Sequence, residues 1–166
     1  MYSNVYHIHP PTTVEAVGEL KKNDLVSADQ PHSHHHLRTA GLKSNGDAIS
    51  SRIPLFFNSD VVISKAHVTD SMDSLYRNGN ADEILFVHTG SGQFKSNFGM
   101  MDLTPGDYVI IPRGVIWQIE ANKDMRMLVI ESAAPIETPN RYRNEFGQLL
   151  EHSPFSERDI RTPEFV

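Results

Sequence analysis

Between residues 52 and 131 the chain alternates short β-rich runs with clusters of turn-forming residues. Seven runs stand out, over 52–57, 60–68, 83–88, 92–97, 107–111, 115–119 and 125–131. They lean on Val, Ile, Phe and Tyr, the side chains that fit a pleated and half-buried surface. Nothing with a helical period separates them, which predicts antiparallel strand pairing rather than strands alternating with helices. Thr89-Gly90-Ser91-Gly92 and Asn97-Phe98-Gly99 read as hairpin turns, because glycine takes backbone angles that other residues avoid. The expected fold is all-β, a jelly-roll antiparallel β-barrel over residues 48–133.

The flanks read differently. Residues 1–47 form an irregular N-terminal segment punctuated by Pro10-Pro11, Pro31 and Ser44-Asn45-Gly46-Asp47, with at most a short helix over 14–20. Residues 134–166 form an extended C-terminal arm broken by Pro135, Pro139, Pro154 and Pro163. A short helix over 142–151 is weakened by Gly147, at a cost of about 1 kcal/mol relative to alanine. The three zones are expected to make one domain, with the arm needing a surface to lie on. Leu149, Leu150 and Phe155 would expose apolar surface if that surface is missing, so a homo-oligomer is expected.

Length and composition narrow the classes. The 166 residues suit one domain, and 39% hydrophobic with 22% charged residues is ordinary for a globular chain. A net charge of -6 lacks the basic footprint that phosphate contacts need, so no nucleic-acid partner is expected. With no cysteine, disulfides, thiolate metal sites and a cysteine nucleophile are excluded. Apolar runs such as Ile84-Leu85-Phe86-Val87 fall far short of the roughly 20 residues a membrane helix requires. No membrane association is expected, and since the opening residues lack a signal-peptide pattern the expected location is cytoplasmic. No phosphate loop and no nucleophile-elbow serine occurs.

Two patterns inside the β-zone carry chemistry. Gly106-Asp107-Tyr108-Val109-Ile110-Ile111-Pro112-Arg113-Gly114 fits G-x5-P-x-G, and Glu83 through Gly90 fits E-x6-G. In this order they resemble the paired motifs of the cupin superfamily. A metal-binding cupin offers H-x-H shortly before that glutamate and a further histidine three residues after the last glycine. Here those positions read Tyr76 and Asn78, or Arg77 and Gly79, and finally Trp117. An indole N–H only donates and cannot ligate a cation. Glu83 is left without ligand partners, and no metal is expected at this position. Trp117 is read as core, its N–H bonded to a polar neighbour such as Glu83. The alternative makes Tyr76, Asn78, Glu83 and Trp117 the lining of a pocket for a small organic ligand.

The other candidate ligands are histidines. Four of the nine lie within His32-Ser33-His34-His35-His36. On an extended segment His32, His34 and His36 share one face, and such pairs chelate when a carboxylate completes the set. His7 and His9 repeat the spacing. The alternative is a loop whose imidazoles bond to backbone or to a neighbouring subunit.

Tyr6-His7-Ile8-His9-Pro10-Pro11-Thr12, Pro31 through Thr39, Tyr76 through Glu83, Gly106 through Gly114 and Arg141 through Glu151 together resemble the bacterial branch of the homogentisate 1,2-dioxygenase family. The likeness runs from about residue 6 to about residue 163. The family opens the ring of homogentisate with O2 and Fe(II) in tyrosine and phenylalanine breakdown. The resemblance implies a two-barrel architecture, assembly into oligomers, and an iron site of two histidines and a glutamate in a C-terminal barrel. On this reading the chain matches the N-terminal barrel, carries no catalytic residue, and is inactive by itself. It would lack a C-terminal cupin half. The competing expectations are a free-standing non-catalytic cupin binding a small molecule or partner, and a metal-dependent dioxygenase built on His32–His36.

Overall fold

The computed structural model describes residues 6–10, 12–20, 25–27, 31 and 33–165. The chain divides into two compact units, Met1–Gln30 and Pro31–Val166. In the first, the described residues are exposed and irregular, with a single turn closed by Thr13 N–H on the Pro10 carbonyl. No helix forms over 14–20: Val14, Val17 and Leu20 all point into water, so an isolated turn of helix has nothing to pack against.

Among its described residues the second unit holds seven strands: β1 Ile53–Phe57, β2 Val61–Val68, β3 Tyr76–Arg77, β4 Asp82–Ser96, β5 Gly99–Leu103, β6 Tyr108–Ile111 and β7 Ile116–Ser132. All pair antiparallel in the order β1-β2-β7-β4-β5, with β3 on β7 and β6 on β4. This is the expected jelly-roll arrangement. Its two long strands each change partners halfway. The first half of β4 lies between β6 and the end of β7, and its second half lies between β5 and the start of β7. Inward residues from all these pairings meet in one core that includes Leu85, Val87, Phe94, Ile119, Met127 and Val129.

Several local expectations are corrected. Residues 83–88 and 92–96 belong to one strand, as do 116–119 and 125–131, while Asn97 and Val115 fall just outside. Thr89–Gly92 is no hairpin: it is a stretch where β4 slips register against β7. The glycines serve this crossing. A Cβ on Gly90, whose φ is 87°, would stand 2.1 Å from the Asp124 carbonyl oxygen, and one on Gly92 would stand 2.6 Å from that of Glu120. The turn at Asn97–Phe98 does form, joining β4 to β5, a strand the apolar pattern missed because Gly99-Met100-Met101-Asp102 is not β-rich.

The arm is extended, as expected, but residues 142–151 are not helical. Asn144 instead organises a turn, its Oδ1 accepting the N–H of Phe146 and Gln148, and Arg143 bridges Leu149. The arm is pinned at both ends. Asp82 accepts from Ile136 N–H and from the backbone and guanidinium of Arg113. Arg161 pairs with Asp107 at 2.6 Å, and Glu164 bridges Met100 on the edge of β5. Of the three apolar residues named above, Leu149 and Phe155 are half-buried by this chain itself and Leu150 is exposed, and Phe146, Ile160 and Phe165 of the arm are exposed too.

Candidate functional site

The four side chains Tyr76, Asn78, Glu83 and Trp117 do come together, but around an arginine. Register places Glu83 of β4 directly opposite Glu131 of β7, both facing inward. Like charges opposed across a strand pair repel, and the neutralising charge comes from Arg52, just ahead of β1. Its Nη1 donates to Glu83 at 2.7 Å and to Glu131 at 3.2 Å.

Local chemistry aims that guanidinium. Asp47 caps the turn before it, accepting the N–H groups of Ile49 and Ser50, and Arg52 Nε then donates to the Ala48 carbonyl at 2.9 Å. The guanidinium lies 5.6 Å from the ring centre of Tyr76 and 5.9 Å from that of Trp117, within cation–π range.

The second oxygen of Glu83 accepts the Trp117 indole N–H at 3.2 Å. Glu83 and Trp117 are wholly buried. Trp117 packs edge-on to Tyr76 and stacks with Phe94. Asn78 donates to Glu131 at 3.2 Å, while its Oδ1 holds the turn at Asn80 and Ala81. Burial, with the Glu83 charge adding to it, pushes the Tyr76 phenol above its ordinary range, although Arg52 pulls the other way. The phenol is neutral at physiological pH.

This arrangement does not fit a ferrous ion. Both groups bonded to Glu83 are donors: a guanidinium has no lone pair to offer, and an indole N–H has none either. The space beside the carboxylate is already taken by a fixed cation. Trp117 is core with its N–H on Glu83, and the Arg52 clamp is the feature that sequence reading missed. Its signal was faint, since the opposition of Glu83 to Glu131 appears only once register is known.

The histidine cluster shows no comparable organisation. His32 lies outside the described residues. His34 and His36 are exposed, and Ser33 contacts His35 at 3.5 Å. Among the described residues no group of three or more His, Asp or Glu side chains is arranged to hold a metal ion. His7 and His9 are exposed, and His67 faces Asp124 at 3.8 Å.

An open cavity of about 1190 Å³ lies away from Arg52, between β5–β6 and the arm. Phe94, Met101, Leu103 and Ile111 line it from the barrel, Ile160 and Phe165 from the arm. Among the described residues no helix is long and apolar enough to cross a membrane.

Comparison with known proteins adds the lineage. The homogentisate 1,2-dioxygenase N-terminal family matches residues 3–142. A Saccharolobus solfataricus protein named as a candidate dioxygenase is 40% identical over 164 residues, 98% of this chain. The chain spans 42% of that curated relative's length. Among solved structures, a cupin-2 domain protein from Shewanella frigidimarina is 21% identical with a TM-score of 0.45, covering 49% of this chain and 79% of its own. KdgF from a Halomonas species is 16% identical with a TM-score of 0.47, covering 54% and 86%.

Proposed function

The chain belongs to the homogentisate 1,2-dioxygenase N-terminal family, and from that membership we propose that it is the structural barrel of an O2-dependent, aromatic-ring-cleaving dioxygenase and does not itself hold the iron. The observation that carries this reading is the occupant of the barrel centre. Glu83, at the position where a cupin's ligand glutamate stands, is committed on one oxygen to Arg52 and on the other to Trp117. A fixed guanidinium supplies the positive charge there and gives the barrel an electrostatic keystone in place of a reactive centre. Aromatic ring opening, tyrosine catabolism and a cytoplasmic setting then belong to the longer protein of which such a barrel forms one part. Oxygen uptake with homogentisate tests this. The 166-residue chain supplied with Fe(II) should show none, and uptake that survives purification to homogeneity would refute the reading.

A second reading is favoured by the cavity between β5–β6 and the arm. A free-standing barrel could hold a small apolar molecule against Phe94, Met101 and Leu103. Tight, saturable binding of such a molecule to a metal-free chain would support it over the first.

A further inference from the structure

An asparagine followed by glycine is prone to cyclise, because glycine has no Cβ to shield its main-chain nitrogen from the neighbouring side-chain amide. The pair occurs twice, at Asn45-Gly46 and Asn78-Gly79. The fold treats the two differently. Asn78 is held at both ends of its amide: Oδ1 accepts the N–H groups of Asn80 and Ala81 at 3.0 Å each, and Nδ2 donates to Glu131 at 3.2 Å. Its main-chain carbonyl accepts Gly114 N–H at 2.7 Å. Turning that amide onto the Gly79 nitrogen breaks three side-chain hydrogen bonds at once, which locks it in place.

Asn45 is exposed and, among the described residues, its side chain carries no such tie. What is held is the attacking partner. Gly46 lies ahead of β1, and Thr69 and Asp70 follow directly on β2. The N–H groups of Thr69 and Asp70 donate to the Gly46 carbonyl at 2.9 and 3.2 Å. Gly46 N–H donates in turn to Thr69 Oγ1 at 3.0 Å, and that hydroxyl donates to Asp70 Oδ2 at 3.3 Å. A main-chain nitrogen becomes a nucleophile only as its proton leaves. A carboxylate that reaches this proton through one hydroxyl has the arrangement of a general base acting by relay.

We infer that Asn45 is a self-modification site, at which Thr69 and Asp70 assist attack of the Gly46 nitrogen on the Asn45 side-chain amide. The bond from Gly46 N to Asn45 Cγ forms and the Cγ–Nδ2 bond breaks. The proton taken from Gly46 departs on the leaving nitrogen as ammonia. Water then opens the five-membered imide at either carbonyl, giving an aspartyl or an isoaspartyl linkage. Both products add a negative charge beside Asp47 and Asp70. The isoaspartyl form also lengthens the main chain by one carbon, just ahead of the turn that Asp47 caps and that aims Arg52 at Glu83. Ageing at this position therefore loosens the clamp at the barrel centre.

The test ages the folded 166-residue chain in mildly alkaline buffer and maps it by mass against an unaged sample. The tryptic peptides Ser44–Arg52 and Asn78–Lys95 each contain one of the two pairs, and conversion adds one mass unit. Asn45 should convert about tenfold faster than Asn78, short of the roughly 10²–10⁴ that a fully positioned base supplies. In urea, where the fold no longer separates them, the two should convert at similar rates. Asp70→Asn, at an exposed position, should slow Asn45 several-fold in the folded chain, and Thr69→Val, which removes the hydroxyl and keeps the shape, should do the same. Equal conversion of the two sites in the folded chain, or faster conversion at Asn78, overturns the inference. So does an unchanged or higher rate at Asn45 in Asp70→Asn, which would mean that the Thr69 contact shields Gly46 instead of activating it.

Discussion

Replacing Arg52 by methionine tests the physical logic of the barrel centre. The side chain is 10% exposed, its partners Glu83 and Glu131 1% and 25%. Removing the guanidinium leaves two carboxylates opposed across one strand pair. At about 5 Å and an effective dielectric near 20 they repel by about 3 kcal/mol. Removing one member of a buried ion pair costs about 3–5 kcal/mol. The partial exposure of Glu131 places Arg52→Met near the lower end, about 3 kcal/mol. For a chain of this size that lowers Tm by roughly 6–12 °C. Trp117 is the only tryptophan and touches Glu83, so its fluorescence in a urea titration reports the site directly. Adding Glu83→Gln should recover at least half of the loss, because Gln can still accept from Trp117 and the remaining charge on Glu131 reaches water. A loss under about 1 kcal/mol for Arg52→Met, or no recovery in the double variant, would refute the idea that Arg52 neutralises an otherwise repulsive pair.

Other consequences follow from the same contacts. Burial works against the charges of Asp82 and Asp107, yet the backbone N–H groups and arginines bonded to them outweigh it and hold both carboxyl groups below their ordinary range. Their contribution is therefore fully present above the unfolded carboxyl range, near 3.8, and is lost as pH falls through the lower folded values. Amide exchange over residues 134–165 should rise below that pH before exchange in β4 and β7 does, and simultaneous release would argue against arm tethering. Gly90→Ala should cost about 1–3 kcal/mol in urea unfolding, from a strained φ and a Cβ driven into the Asp124 carbonyl. A neutral result would mean that the β4–β7 crossing yields easily.

Much of the architecture was legible because strands buried on one or both faces leave apolar runs that survive any error in register. The β-zone and the irregular flanks could be read that way, as could the core position of Trp117. Continuity of β4 and β7 was not legible. Thr89-Gly90-Ser91-Gly92 carries the chemistry of a hairpin, and only the approach of the Asp124 and Glu120 carbonyls shows why glycine is required there without a chain reversal. Arg52 was invisible for another reason. Its role depends on two glutamates 48 positions apart in the chain, Glu83 and Glu131, becoming cross-strand partners, and a single sequence carries no trace of that pairing. The helix over 142–151 failed because Asn144 bonds its own backbone in a turn, a local competition that polar side chains often win.

Iron analysis after anaerobic loading tests the central claim most directly. The chain is incubated with excess Fe(II), desalted and assayed for bound metal, beside Glu83→Gln. The account predicts only trace iron in both, since Glu83 is already held by Arg52 and Trp117. Stoichiometric iron in the wild type that disappears in Glu83→Gln would contradict it.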